Sequence, residues 1–505
     1  MKKSILASLV ISALLAGCGS GGSSSASSDK YNWQVVQLKS VSESTLNSKC
    51  VIYADSELND GEVITAYIAE SDFNIIYHNT DGTIEETIPA DEISDGLLTI
   101  DSDDVPDEGY VTLEEVSDPR GGDTGSYMFS VKKSLLSDLV LNIATEQGED
   151  TCYTGDDYRE VVSGTALVNV QEESENTAYY QSSYDQDSIN GKTISTGIPV
   201  DSPYPASHDV LITAFNSYDS DASEYTELSY WAFVDSAKLY ETSSDSSAEL
   251  NENGLTDVDL STIDSVDLDS DSGVIVIHDD ESYFWQPIYT TEDQLTLAYD
   301  SADVDVWNSY FSGTLSDNDW LFTSFNYLGE NETYLTLKEF SSVDDLDDVF
   351  VSSDCDVAAD FCIDTNSTYN SDDFDYQRVH IRLTEASGST TDNITYQSIY
   401  SEANEEPIVL ESSLFDYTDP TLTRAEFSLV SSDADMVDAV QYLMTENIDL
   451  VTVGEYGSNT DDDAAETDLY NDINGFVSTD TERSSLYQEM LGNNTTTLMN
   501  AYELD

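Results

Sequence analysis

Short runs in which Val, Ile, Tyr and Thr alternate with polar residues recur along almost the whole chain, each closed by a cluster of Asp, Gly, Ser or Asn. A period of two sends successive side chains to opposite faces of an extended backbone, so this pattern confines the chain to β-sheets. Early runs lie at 33–41, 63–68, 73–77, 96–100, 110–116, 127–131 and 139–143. Together they predict an antiparallel β-sandwich over residues 31–158.

From about residue 160 a looser repeat begins. Strands start near Thr165, Asp209, Gly273, Trp320, Arg378 and Ala425, at intervals of roughly 45–65 residues. Several are followed by a second, aromatic run, as at 225–234, 283–289, 334–337 and 395–400, and sometimes by a third, as at 295–299 or 408–410. Three or four strands per unit is the period of a propeller blade. The expectation is therefore an all-β chain, the sandwich followed by an irregular β-propeller-like domain over 159–505. A second sandwich or a run of Ig-like modules is the alternative. Helix is expected only at 436–446 and 484–491.

Charge narrows the partners. Asp and Glu number 102 against 16 Lys and Arg, a formal net charge of −86. Such a surface repels nucleic acid and anionic headgroups. It also repels itself, and at seawater-like ionic strength the Debye length falls to a few Å, so a salty habitat is expected. With 39% hydrophobic residues, 32 Tyr and 15 Phe, the chain has enough apolar area to fold.

Five cysteines are present, and the last four form an even set. Cys355 and Cys362 are close enough in sequence to close a small loop, which leaves Cys50 to pair with Cys152. Four cysteines allow three pairings, so this is a choice among them. A zinc site is the poorer reading, because no CxxC occurs and His78, His208, His278 and His380 lie far from the cysteines in sequence.

The amino end carries the most specific signal. Lys2 and Lys3 precede a short apolar run, residues 5–15, which ends in Leu15-Ala16-Gly17-Cys18. The run is shorter than the roughly 20 residues a membrane span needs, and small residues before a cut site mark a secretory signal. A cysteine directly after them resembles the lipobox of bacterial lipoproteins. The resemblance implies a signal peptide over 1–17, cleavage before Cys18 and a diacylglycerol thioether on that cysteine, finished by acylation of the new amino end. Gly19, rather than Asp, follows Cys18, which in such lipoproteins favours the outer membrane. The Gly/Ser-rich stretch to residue 30 reads as a flexible tether. In overall build the chain resembles the large acidic lipoproteins of marine Gram-negative bacteria, including flagellar sheath proteins.

No GxSxG elbow, HExxH or Gly-rich phosphate loop occurs. Asp123-Thr124-Gly125-Ser126 and Asp271-Ser272-Gly273 have the tripeptides that place paired carboxylates in aspartic proteases, but Pro119-Arg120-Gly121-Gly122 makes the first a surface turn. Asp267, Asp269 and Asp271 stand two apart, as in calcium loops. They depart from an EF-hand, since Gly273 is one place late and His278 holds the twelfth position. Weak calcium binding and a solvated acidic loop are the two readings. The clusters at 101–108 and 461–463 are similar in kind. Arg378, His380 and Arg382 alternate along one run and share a face on an otherwise acidic body, either paired with carboxylates or open to an anionic ligand. The expected function is an outer-membrane-anchored structural or binding protein of the envelope, with an envelope protein or glycan as partner. The alternative is a tethered glycan-active propeller enzyme.

Overall fold

A computed structural model describes residues 28–55, 62–115, 125–143, 148–155, 165–168, 179–184, 187–191, 198–201, 208–219, 224–235, 238, 249–250, 255–261, 266–269, 271–279, 281–288, 294–298, 306–316, 318, 320–328, 334–336, 343–344, 346, 349–365, 368–385, 393–445 and 475–503. Cys18, the signal and most of the tether lie outside them. The protein is mostly β, 58% strand, with two α-helices among the described residues and a sheet that curls into a half-barrel.

The first sheet has seven strands around Lys30–Ser42. That strand pairs antiparallel with Glu62–Ala69 and Leu97–Asp101, and parallel with Leu139–Asn142. Its alternation is two-sided. Trp33 and Val35 pack into one cluster with Phe73, Ile75, Val111, Leu113, Phe129 and Val131. Val36 and Leu38 face a second, with Val51, Tyr53, Ile64 and Ala66. The strands Phe73–His78, Tyr110–Glu115 and Gly125–Lys132 that supply much of the first cluster belong to another sheet, so that cluster draws its residues from two sheets.

Neither sheet stops at residue 158. Gly475–Phe476 pairs with Leu139–Asn142 in the first. In the second, Gly125–Lys132 pairs in parallel with Asn393–Glu402, with Tyr127 opposite Tyr396 and Phe129 opposite Ser398. This second sheet has thirteen strands and runs on through Tyr376–Glu385, Thr421–Ser432, Thr495–Glu503, Leu321–Leu328, Val306–Leu315 and Gly273–His278 to Glu281–Pro287.

That continuity corrects the propeller expectation: no propeller is found among the described residues. Most of the expected strands do form, including Val210–Asp219 with Glu224–Val234 and Tyr376–Glu385 with Asn393–Glu402. The hairpins, however, join edge to edge. A blade needs each small sheet to stack on its neighbour, whereas here successive hairpins use their edge hydrogen bonds on one another. Smaller sheets hold the rest, one of four strands containing Val210–Asp219 and one of three containing Tyr334–Thr336. Segment 408–410, read as a third strand, makes only an isolated bridge between Ile408 and Cys362.

Both helices form where helix was expected. α1, Met436–Thr445, buries Ala439, Val440, Leu443 and Met444. α2, Asp480–Gly492, begins earlier than its apolar pattern suggested because Thr479 and Glu482 make a reciprocal capping box. Neither helix is long and apolar enough to cross a membrane.

Candidate functional site

Both expected cysteine pairs are bonded, Cys50 to Cys152 and Cys355 to Cys362, with Cα separations of 5.6 and 5.7 Å. Among the described residues, the one group of three ligand-type atoms within 4.8 Å of one another is Cys355, Cys362 and Glu406. Its two sulfurs are joined to each other.

Asp267, Asp269 and Asp271 are exposed and do not form such a group. Asp271 accepts from the Ser312 hydroxyl at 2.8 Å and Asp267 from Ser316 at 3.3 Å, so each faces a neighbouring strand or turn rather than a shared point. In the 101–108 cluster, Asp101, Asp107 and Glu108 meet Lys30, Lys133 and Lys132 at 3.1, 2.9 and 3.0 Å. The 461–463 cluster, Asp123 and Thr124 lie outside the described residues, and Ser126 is fully buried and donates to Glu114 at 2.8 Å.

Several buried polar residues of the large sheet share one task. On one face they hold segment 403–419, which follows the strand Asn393–Glu402 and crosses the sheet without joining it. Gln397 clamps Leu410, donating to its carbonyl at 2.8 Å and accepting its N–H at 3.0 Å. Gln377 donates to the carbonyls of Glu402 and Glu405 at 3.1 and 2.8 Å. Glu114, fully buried, accepts from the hydroxyls of Ser412 and Ser413 and from the Ser413 N–H. Glu385 takes the N–H groups of Thr418 and Asp419 at 3.1 and 3.3 Å. Lys132, almost wholly buried, sits among Glu108, Glu402 and Glu405. At Gly82 the segment passes so close that a Cβ would lie 2.9 Å from the Val409 carbonyl, and a φ of 80° also requires glycine.

His78 belongs to the same face. Its Nε2 lies 2.9 Å from the Glu411 carbonyl, which can only accept, so Nε2 carries the proton and Nδ1 accepts from Thr112 at 3.1 Å. Burial lowers its pKa to about 4. Burial also raises the Tyr417 phenol, whose oxygen accepts from Gln397 at 3.3 Å.

The opposite face carries the basic row. Arg378, His380 and Arg382 do share it, as their alternation predicts. Arg378 is buried in an ion pair with Glu426. His380 is buried with Nδ1 at 2.7 Å from the Ser398 hydroxyl. Arg382 differs. It is half-buried, and among the described residues its Nε donates to the Tyr396 hydroxyl at 3.2 Å and its Nη1 to Thr423 Oγ1 at 2.8 Å. The guanidinium also lies 5.9 Å from the Tyr396 ring centroid. Tyr396 in turn stacks on Tyr127, centroids 4.7 Å apart and planes within 1°.

Sequence reasoning missed Arg424, which stands directly across from Arg382 in the register. The register slips at this point, with Leu383 opposite Leu422, so Thr423 is the extra residue of a β-bulge. Bulges re-aim side chains, and this one delivers the Thr423 hydroxyl to Arg382. The available signal was composition: the whole chain has six arginines, and three of them fall in these two strands.

Comparison with protein-family models, curated protein sequences and solved structures found no match.

Proposed function

We propose that this protein is an acidic lipoprotein of the bacterial envelope, exported and held on the outer membrane through lipid on Cys18, with a structural or binding role there. The observation that carries the reading is the Leu15-Ala16-Gly17-Cys18 sequence behind a basic, apolar leader and ahead of a Gly/Ser-rich tether. Two bridged cysteine pairs in one chain support an oxidising compartment. Multiple acyl chains give stable anchoring, since each buried methylene contributes roughly 0.8 kcal/mol. A coat or flagellar-sheath component fits a body whose net charge of −86 resists non-specific adhesion to anionic surfaces.

A glycan-active enzyme on the same tether would need convergent carboxylates in an open funnel. Two buried carboxylates of the large sheet, Glu114 and Glu385, are instead occupied by hydroxyl and backbone donors of 412–419. This favours the structural or binding role.

Subcellular fractionation tests the anchor. Cys18→Ser should move the protein from the membrane to the soluble fraction and abolish labelling by a palmitate probe. Unchanged membrane partition with retained label would refute it.

A further inference from the structure

A lysine normally keeps its ammonium in water, yet the Lys132 side chain is only 3% exposed. It closes the strand Gly125–Lys132. Three carboxylates meet its Nζ: Glu108 at 3.0 Å, Glu402 at 3.3 Å and Glu405 in direct contact. One carboxylate balances one ammonium, and each further one adds desolvation and repulsion from its fellows. Glu108, 69% exposed, is the solvated partner. Glu402 and Glu405 are 31% and 29% exposed and lie at the end of Asn393–Glu402 and in the turn that follows it.

The surroundings hold the amine and the acid in place. The Glu405 N–H donates to the Glu402 carbonyl at 3.2 Å, and Gln377 donates to the carbonyls of Glu402 and Glu405 at 3.1 and 2.8 Å. The Ser134 hydroxyl donates to Glu402 Oε1 at 2.5 Å, so Glu402 meets Nζ through Oε2. An amine and a carboxyl group are thus set against each other from positions 273 residues apart in the chain. Free in water, such a pair stays ionised and separate. Groups held at contact behave as if at an effective molarity of about 10⁵–10⁸ M, which favours their condensation.

We propose that Lys132 and Glu405 are joined by an intramolecular amide bond, with Glu402 as the general base. Glu402 Oε2 takes one proton from the ammonium and frees the lone pair on Nζ, which adds to Cδ of Glu405. A C–N bond forms and one C–O bond of Glu405 breaks. The departing oxygen leaves as water with two of the ammonium protons, one of them relayed by Glu402, which ends as it began. The remaining proton stays on the amide nitrogen, and no oxidant or co-reactant is consumed. The bond ties the end of Gly125–Lys132 to the turn after Asn393–Glu402, beside the parallel pairing through which the amino-terminal strands enter the thirteen-stranded sheet. It goes beyond the envelope role and does not depend on lipid at Cys18, so its failure would leave the anchoring result untouched.

The test is peptide mapping by mass spectrometry of the full-length mature protein, with its disulfides reduced and alkylated, after digestion with trypsin and a glutamyl endopeptidase. The expected product is a branched peptide that joins the Lys132 and Glu405 segments, weighs one water less than their sum and is cut after neither residue. On a reducing, denaturing gel the looped wild-type chain should run ahead of Lys132→Arg, whose guanidinium keeps the charge but forms no amide. Glu402→Gln keeps both linked groups and should slow the bond by about a hundredfold or more, the loss expected for a general base, as followed on that gel after a pulse of synthesis. If Lys132→Arg fails to fold, the wild-type peptide map alone decides. Lys132 and Glu405 found only in separate, unbranched peptides, or a branch from Lys132 to Glu108 or Glu402 instead, would overturn the proposal. A Glu402→Gln chain that links as fast as wild type would overturn the role given to Glu402.

Discussion

His78 is neutral in the folded protein because it is buried, and the Nε2–H···O=C bond to Glu411 only partly offsets the cost of charging it. Its pKa falls from 6.5 to about 4. The unfolded chain takes up a proton below pH 6.5 while the folded chain does not, so the stability that His78 contributes is complete above pH 6.5 and is lost as the pH falls towards 4. The magnitude is about 3 kcal/mol for a shift of this size. His208 is also lowered to about 4 by burial and acts in the same direction. Urea unfolding of wild type and His78→Gln between pH 7 and 4 should show a steeper loss in wild type. Parallel curves would mean that His78 is charged in the folded state. At this scale the sequence was partly legible. Period-two alternation placed Arg378, His380 and Arg382 on one face, as found. It could not reveal Arg424 as their neighbour, because strand partnership is decided by the tertiary fold and the bulge at Thr423 has no local signature. Nor did Glu114 stand out, since in so acidic a chain a glutamate reads as surface until its donors from Ser412 and Ser413 are seen.

Among the elements, segment 403–419 shows how a run whose strand pairing is limited to the Ile408–Cys362 bridge can still be fixed in place. Its Ile408–Leu410 triplet looks like a strand, yet the Leu410 backbone bonds go to the Gln397 side chain. The Cys355–Cys362 loop packs on the same segment, with Ile408 and Leu410 against Cys362 and Met128. The two disulfides should therefore differ in effect. Cys50–Cys152 spans 102 residues of sequence and Cys355–Cys362 spans 7. On the chain-entropy model the first contributes about 4–5 kcal/mol and the second about 2–3 kcal/mol. Double Cys→Ser variants compared by denaturant midpoint should rank in that order. The reverse ranking would show that the short loop stabilises through its packing on 408–410 rather than through chain entropy. Strand positions were largely readable because period two survives in isolated segments. The parallel match of Gly125–Lys132 with Asn393–Glu402 was not, since no local feature links strands so far apart in sequence. The repeat of hairpins after residue 160 suits either blades or a continuous sheet, and the edges chose the sheet.

In the molecule as a whole, charge and sheet are arranged in opposite ways. Acidic groups are spread along the chain, while three of its six arginines are gathered on adjacent strands of the thirteen-stranded sheet. The large sheet joins the amino-terminal strands Phe73–His78, Tyr110–Glu115 and Gly125–Lys132 to the carboxy-terminal strand Thr495–Glu503, so the described body is knitted across its length. On this account the Gly/Ser-rich stretch after Cys18 separates that body from a lipid anchor. Intact-mass and amino-terminal peptide mass spectrometry of the protein extracted from its native membrane tests this most directly. The account predicts a chain that starts at Cys18 and carries a diacylglycerol thioether and an acylated amino group. A mature chain that starts elsewhere, or an unmodified Cys18, would contradict it.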